Sequence, residues 1–320
     1  MILKRPFFWL TLAVTAGFML LPWRGNNVGM RETLILAAVA IILASNLNLM
    51  IGYTGYVNFG NIVFFGLGGY AGLYLVTARG WPLIGAALAA GVAVSIFALL
   101  LGLAILRLRG AYFALATIGV LEAIRAFVSN FEPWGRSAGM YATFDVYQPL
   151  GGPMKALWAT YFLVIGVMGL SLLLSLGIKT SKFGLGLFAI RENEDAAMVL
   201  GVNTALYKAI VYSVSAFLPA VAGALIFFKN GMIEPEQAFD LTLSIEAIVM
   251  IMLGGQGTVA GSALGAGLYE QLRGYLLTQP TLSNFHLVIA GALLLMIVLF
   301  APLGLIGWVH RWRPVRRILE

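Results

Sequence analysis

The chain has no cysteine, two histidines and little charge, with Asp, Glu, Lys and Arg making up 10% of its 320 residues. The lack of cysteine excludes disulfides and thiolate metal sites. His286 and His310 are too few and too far apart to build a metal centre. Soluble domains carry charge on about a quarter of their residues, so a chain that is 61% hydrophobic and 10% charged falls outside that class. Chemical motifs are missing too. There is no GxxxxGK(S/T) loop to cradle nucleotide phosphates, no GxGxxG, no HExxH and no GxSxG with triad partners. Nothing here supports an enzyme, so no catalytic residue and no cofactor or metal bound by this chain are expected. The net charge of +7 suits Lys and Arg at the cytoplasmic ends of membrane helices better than nucleic acid.

What the chain does have is long uncharged runs, at 6–23, 33–78, 80–106, 156–178, 209–228, 247–269 and 274–310. A bilayer core of ~30 Å needs about 20 apolar residues as helix, and none of these runs shows the period-2 alternation of a membrane strand. Breakers divide them into about ten spans, at 6–23, 31–51, 59–78, 81–106, 110–130, 157–177, 206–229, 240–254, 258–277 and 285–308. The N-terminal run has the charge and length of a signal peptide but no small-x-small cleavage site before Arg24, so it is read as the first span. Ten spans put both termini on one side. Placing that side in the cytoplasm gathers Lys4, Arg5, Arg107, Arg109, Lys179, Lys182, Arg191, Lys208 and the C-terminal arginines there, as the positive-inside rule asks. The expected fold is an all-α polytopic membrane protein forming one domain over 1–320. Its cytoplasmic loop falls at about 178–205 and its external loop at about 131–156.

Two spans look broken. GYTGYVNFGN (52–61) leads into a Gly-rich third span, and a short eighth span ends at GGQG (254–257). Gly257, Gly261 and Gly265 then recur every fourth residue, a spacing that lets another helix backbone approach closely. Broken helices persist in membranes where they line a cavity or are buried in protein. Asn46, Asn48, Asn58 and Asn61, with Ser45, Tyr53 and Tyr56, cluster around the second and third spans. They suit either a path for a small polar solute or interhelical hydrogen bonding. Glu122 and Arg125, and Glu270 and Arg273, can pair at i,i+3. Glu246 has no basic residue within a helical turn, so it is expected to pair across helices or to face the outer vestibule.

The rare charges concentrate in AIRENEDAAMVLGVN (189–203). Asn193 is placed as a helix N-cap, Glu194 and Asp195 occupy the first turn, and Gly201 ends the helix in the left-handed conformation. The two-turn helix shows a small apolar face of Ala196, Val199 and Leu200. It is too short to persist alone and makes sense docked in a groove of a partner.

Here a family resemblance becomes specific. DAAMVLG (195–201) resembles the EAA-xxx-G coupling loop of ATP-binding-cassette importer permeases. Its setting SKFGLGLFAIRENEDAAMVLGVNTALYK (181–208), together with GYTGYVNFGNIVFFGLGGYAG (52–72) and MLGGQGTVAGSALGA (252–266), resembles the branched-chain amino-acid permease family, closer to its LivM type than to its LivH type. The similarity covers roughly 35–305. It implies a membrane subunit paired with a second, related permease, two ATPase subunits that use ATP and magnesium, and a periplasmic or extracellular solute-binding protein. It also implies an inner-membrane location and a coupling role for Arg191, Glu192, Glu194, Asp195, Ala196, Ala197, Val199, Leu200 and Gly201. Asn58 and Asn61 stand where many relatives have Ser and His, and Ser262 where Pro is common. Branched-chain or related amino acids are the expected cargo. Urea, short amides or another small polar nutrient, and a stand-alone secondary transporter, are the alternatives.

Overall fold

The computed structural model describes residues 6–24, 28–278, 288–289, 291–292, 295–296 and 304–309. Its helices are α1 (Pro6–Leu20), α2 (Val28–Thr54), α3 (Ile62–Arg79), α4 (Leu83–Ile105), α5 (Ala111–Asn130), α6 (Pro153–Lys179), α7 (Lys182–Glu192), α8 (Glu194–Val199), α9 (Thr204–Asn230), α10 (Pro235–Ala238), α11 (Leu241–Gly254) and α12 (Val259–Thr278). A further short helix covers Gly304–Val309. Against the ten spans expected from the breakers, seven helices among the described residues are long and apolar enough to cross a membrane. Of the remainder, α1 is apolar but shorter, and α12 spans 20 residues with Glu270 and Arg273 in its second half. The expected span at 285–308 lies largely outside the described residues.

Two helices form the centre. The apolar windows of α2 and α9 are 83% and 72% buried, against 28% for α4 and 22% for α5. Lipid provides no hydrophobic drive between helices, so close packing of small residues has to do that work. A Cβ on Gly68 of α3 would lie 2.1 Å from the Ala220 carbonyl oxygen of α9, and one on Gly223 of α9 would lie 2.0 Å from the Phe65 carbonyl oxygen of α3. The two backbones therefore touch. The hairpin of α11 and α12 is built likewise. Cβ atoms on Gly254, Gly261 and Gly265 would strike backbone of the facing helix or turn within 2.5 Å. Gly257 does not belong to this ladder. It precedes α12, with φ +76°, and packs against Gly52 and Arg191 instead.

The break before α3 is real. Residues 55–58 have no regular structure and 59–61 form a turn, so α3 starts only at Ile62. Side chains replace the missing helical partners. Thr117 Oγ1 of α5 accepts from Phe59 N at 3.1 Å, Asn58 Oδ1 from Gly60 N at 2.9 Å, and Ser244 Oγ of α11 from Ile62 N at 3.2 Å. Non-helical backbone inside a membrane protein needs this kind of internal satisfaction. At the opposite end of the bundle, the 131–152 loop is tied to the exit of α9 by a two-stranded antiparallel ladder. Met140 pairs with Ile233 and Tyr141 with Met232.

Replacing Gly223 or Gly68 with Val forces the α3 and α9 backbones apart and should cost at least the upper end of the ~1–3 kcal/mol seen for overpacking. Gly119→Ala and Gly166→Ala, where a Cβ meets nothing within 4 Å, should be neutral. Thermal unfolding in detergent distinguishes the two classes.

Candidate functional site

Between the long helices α6 and α9 the chain makes three abrupt reversals, and a side-chain cap starts each new helix. Ser181 Oγ accepts from Gly184 N at 3.0 Å to begin α7. Asn193 Oδ1 accepts from Ala196 N at 3.0 Å to begin α8, and Asn203 Oδ1 accepts from Leu206 N at 3.1 Å to begin α9. Each cap satisfies an amide that has no partner inside its helix. Gly201 at φ +87° closes α8, and Val202 N donates to the Ala197 carbonyl. Six residues cannot hold a helix by themselves, so α8 depends on what it touches.

Its root is a buried ammonium. Lys208, in the second turn of α9, is 3% exposed. Its Nζ donates to Glu194 Oε1 at 2.7 Å, to Tyr56 Oη at 2.9 Å and to the Leu106 carbonyl at 3.0 Å. An ammonium has three N–H donors, and all three are used. The Tyr56 hydroxyl in turn donates to Glu194 Oε2 at 2.6 Å, and Lys208 Nζ lies 4.6 Å from the Tyr56 ring centroid. Four pieces of chain meet here: the first residue of α8, the second turn of α9, the link after α2 and the end of α4. Arg109 adds a more exposed contact from the α4–α5 link, at 3.0 Å from Asp195 Oδ1.

Burial opposes ionisation of Glu194. Hydrogen bonds from Lys208 and Tyr56, with the positive charges of Lys208 and Arg109, outweigh it and hold the carboxyl below its ordinary range. Burial and the neighbouring Glu194 carboxylate push the Tyr56 hydroxyl upward, so it stays protonated as a donor. The rest of α8 divides cleanly. Ala197 is buried at 1%, while Val199 and Leu200 are 88% and 81% exposed and Met198 and Ala196 also face outward.

Arg191, expected on the coupling surface, is exposed, and its guanidinium also reaches back to the end of α2. Its Nη1 donates to the Gly52 carbonyl at 2.7 Å. Gln256 Nε2 donates to the Ile51 carbonyl at 2.7 Å. Asn48 clasps the same turn, donating to the Thr258 carbonyl and accepting from Gly257 N, both at 3.0 Å. The Gly-rich turn at 254–257, the end of α2 and the end of α7 therefore form one joint. Only glycines fit it, because a Cβ at Gly52 would lie 2.6 Å from Gly257 N. Glu192 is exposed at the end of α7.

The residues expected along a solute path are mostly between helices. Asn46 Nδ2 donates to Ser171 Oγ at 3.0 Å, Tyr53 Oη lies 3.0 Å from Ser175 Oγ, and Ser45 Oγ lies 3.3 Å from Ser262 Oγ. Asn58 and Asn61 are buried at the α3 break, where Asn58 Nδ2 and Asn61 Oδ1 have no hydrogen-bond partner among the described residues. Tyr56 belongs to the α8 root. Glu246 pairs across helices, 3.3 Å from Arg273 Nε of α12, and Arg273 also reaches Glu270 at 3.5 Å. Lys208 escaped the sequence reading because it looked like one more basic residue near a helix start. Its signal is a lysine followed by the uncharged run 209–228, 14 residues after Glu194.

A bundle of membrane-crossing helices with a capped, side-chain-rooted helix projecting from one end has the build of a transport permease. A family model described as branched-chain amino acid transport system / permease component matches residues 29–298, and the chain belongs to this family. It is 24% identical to the Escherichia coli high-affinity branched-chain amino acid transport system permease protein LivM, over 93% of this chain and 73% of that one. The Escherichia coli LivH permease protein of the same system is 29% identical over 47% of this chain and 46% of its own length. The ribose import permease RbsC of Bacillus subtilis is 28% identical over 43% of this chain and 46% of its own. No solved structure matches the chain.

Lys208→Met leaves Glu194 partly buried without its main partner and should destabilise the protein by about 3–5 kcal/mol. Lys208→Met with Glu194→Gln should recover much of that loss, as a double-mutant cycle in denaturant will read. The depressed Glu194 carboxyl sets the pH dependence. Its stabilisation is fully present above the ordinary carboxylate range and is lost as pH falls through the lowered folded value. Proteolysis at Leu200–Gly201 should therefore stay slow from neutral pH down to the ordinary carboxylate range and accelerate as pH falls from there through the lowered value.

Proposed function

We propose that the chain is one of two permease subunits of an ATP-binding-cassette importer for branched-chain or related amino acids. It would sit as a single permease domain in the cytoplasmic membrane with both termini inside. The similarity to LivM and LivH permeases supports the cargo and the pairing with a related second chain. The observation that carries the reading is the contrast within α8. A root held by Lys208 and Tyr56 anchors a tip whose Val199 and Leu200 are almost wholly exposed. Exposed apolar side chains on a capped stub mark a docking site, and the occupant in this reading is a groove on an ATPase subunit.

Two ATPase subunits would supply ATP hydrolysis with magnesium, and a solute-binding protein would deliver cargo at the far end. The chain itself would do no chemistry. Closure of the ATPases would push α8. The Glu194–Lys208 pair would carry the push to α9, and α7 would carry it through Arg191 to the joint of Gly52 and Gly257. Asn46, Asn48, Tyr53 and Glu246 stand on the helices that would move, and Asn58 and Asn61 in the break between α2 and α3. The unpartnered amide atoms of Asn58 and Asn61 are the strongest candidates for contact with solute in another conformation. The likeness to a ribose import permease supports a second reading, in which the same machine carries a different small polar solute.

The test is uptake by the assembled transporter in proteoliposomes. Ala196→Glu, Gly201→Pro or Leu200→Asp should break the link between ATP hydrolysis and leucine uptake while the chain still inserts. Normal uptake by all three would remove the coupling assignment.

A further inference from the structure

Helices α4 and α5 are the two most exposed of the spanning set, and they differ in that α5 carries an ion pair on its exposed surface. On α4 the outward residues Ile84, Leu88, Val92, Ile96, Leu100 and Leu103 form an apolar stripe suited to lipid. On α5 the inward stripe is Phe113, Thr117, Leu121 and Val128; its exposed surface is apolar at Tyr112, Leu115 and Phe127 but also carries Glu122, with Arg125 on the flank. The carboxylate and guanidinium pair at 2.6 Å with side chains 48% and 41% exposed. Glu122 lies about 16 Å along the helix from its start at ~1.5 Å per residue, near the middle of a span of about 30 Å. An ionised pair at that depth faces protein or water, not hydrocarbon.

A cleft of about 350 Å³ lies against this face, lined by Glu122, Arg125, Ala126, Ser129, Ser137 and Glu236, with Pro235. The i, i+3, i+4, i+7 spacing of its α5 residues makes one continuous strip. It runs from mid-span toward the end of the bundle remote from α8, where the 131–152 loop and α10 supply Ser137 and Glu236. We propose that this cleft is one wall of the solute passage, closed on its open side by the second permease. Glu122 and Arg125 then receive the ammonium and carboxylate of a zwitterionic amino acid. A guanidinium can hold a carboxylate through two parallel hydrogen bonds, and a zwitterion entering between the two groups exchanges one matched pair of charges for two. The passage therefore never holds an unpaired charge. This assignment rests on the amino-acid reading above.

Because the chain has no cysteine, single thiols report cleanly on it. In the complete transporter, Ala126→Cys and Ser129→Cys should react with a membrane-impermeant methanethiosulfonate from the side opposite α8. Leucine, with its binding protein and ATP, should slow that reaction, and Val92→Cys on α4 should stay unreactive. Arg125→Ala should lower leucine uptake roughly tenfold or more, the scale of one lost hydrogen bond to a charged group, with ATPase association unchanged. The charge-swapped E122R/R125E protein should stay inactive, since each end of the zwitterion then meets its like charge. Restored uptake by the swap would reduce the pair to a salt bridge and overturn the proposal. Unreactive thiols at 126 and 129 in a complex that still imports leucine would overturn the cleft and leave the permease reading standing. Reactive thiols in a complex that imports another solute but not leucine would overturn the zwitterion assignment together with the amino-acid reading.

Discussion

The interaction on which the rest depends is the Lys208 ammonium. Burying a charge is costly unless it is paired and hydrogen-bonded, and Lys208 meets both conditions with three acceptors from three different parts of the chain. That arrangement does more than satisfy a charge. It fixes a six-residue helix, too short to be stable by propensity, against the ends of two long ones. Tyr56 tightens the arrangement by accepting from Lys208 and donating to Glu194, so the hydroxyl dipole serves both partners. Hydrogen-bonded groups polarise one another in a low-dielectric setting, which favours a root that moves as a unit over one that flexes residue by residue.

Stiffness elsewhere comes from glycine. Where α3 meets α9 and α11 meets α12, backbones lie in contact because no Cβ intervenes, and packed interfaces of this kind slide or tilt more readily than they bend. The joint of Gly52, Gly257 and Arg191 places the end of α7 against two such elements. A displacement at α8 thus has two physical routes into the bundle, an ionic one into α9 and a hydrogen-bonded one into α2 and the α11–α12 turn. The ion pairs of the core, Arg273 with Glu246 and Glu270, bind α11 to α12 and keep that hairpin a single piece.

Much of this was legible in the sequence, for reasons that differ by element. Uncharged runs about 20 residues long read as membrane helices, and Asn193 and Gly201 mark the ends of α8 through local backbone chemistry that needs no tertiary context. Partners at long range left no such trace. Arg191 belongs by sequence to a charged surface loop and is exposed there, yet its guanidinium also donates to a carbonyl 139 residues away. Tyr56 stood among polar residues that suit a path, and its position beside Glu194 emerges only when α2 and α9 are packed. Gly257 fits the spacing of a helical ladder, but its positive φ puts it in the turn before the helix. Span counting was limited by charge, since Glu270 and Arg273 make α12 less apolar than its neighbours.

The central claim is that the tip of α8 is the surface on which the ATPase acts. A photoreactive benzophenone attached at Val199→Cys, the sole thiol of the chain, tests it in the assembled complex. The account predicts cross-linking to an ATPase subunit, with a yield that changes between the nucleotide-free and ATP-bound states. A transporting complex in which the probe at 199 never captures an ATPase subunit would contradict it.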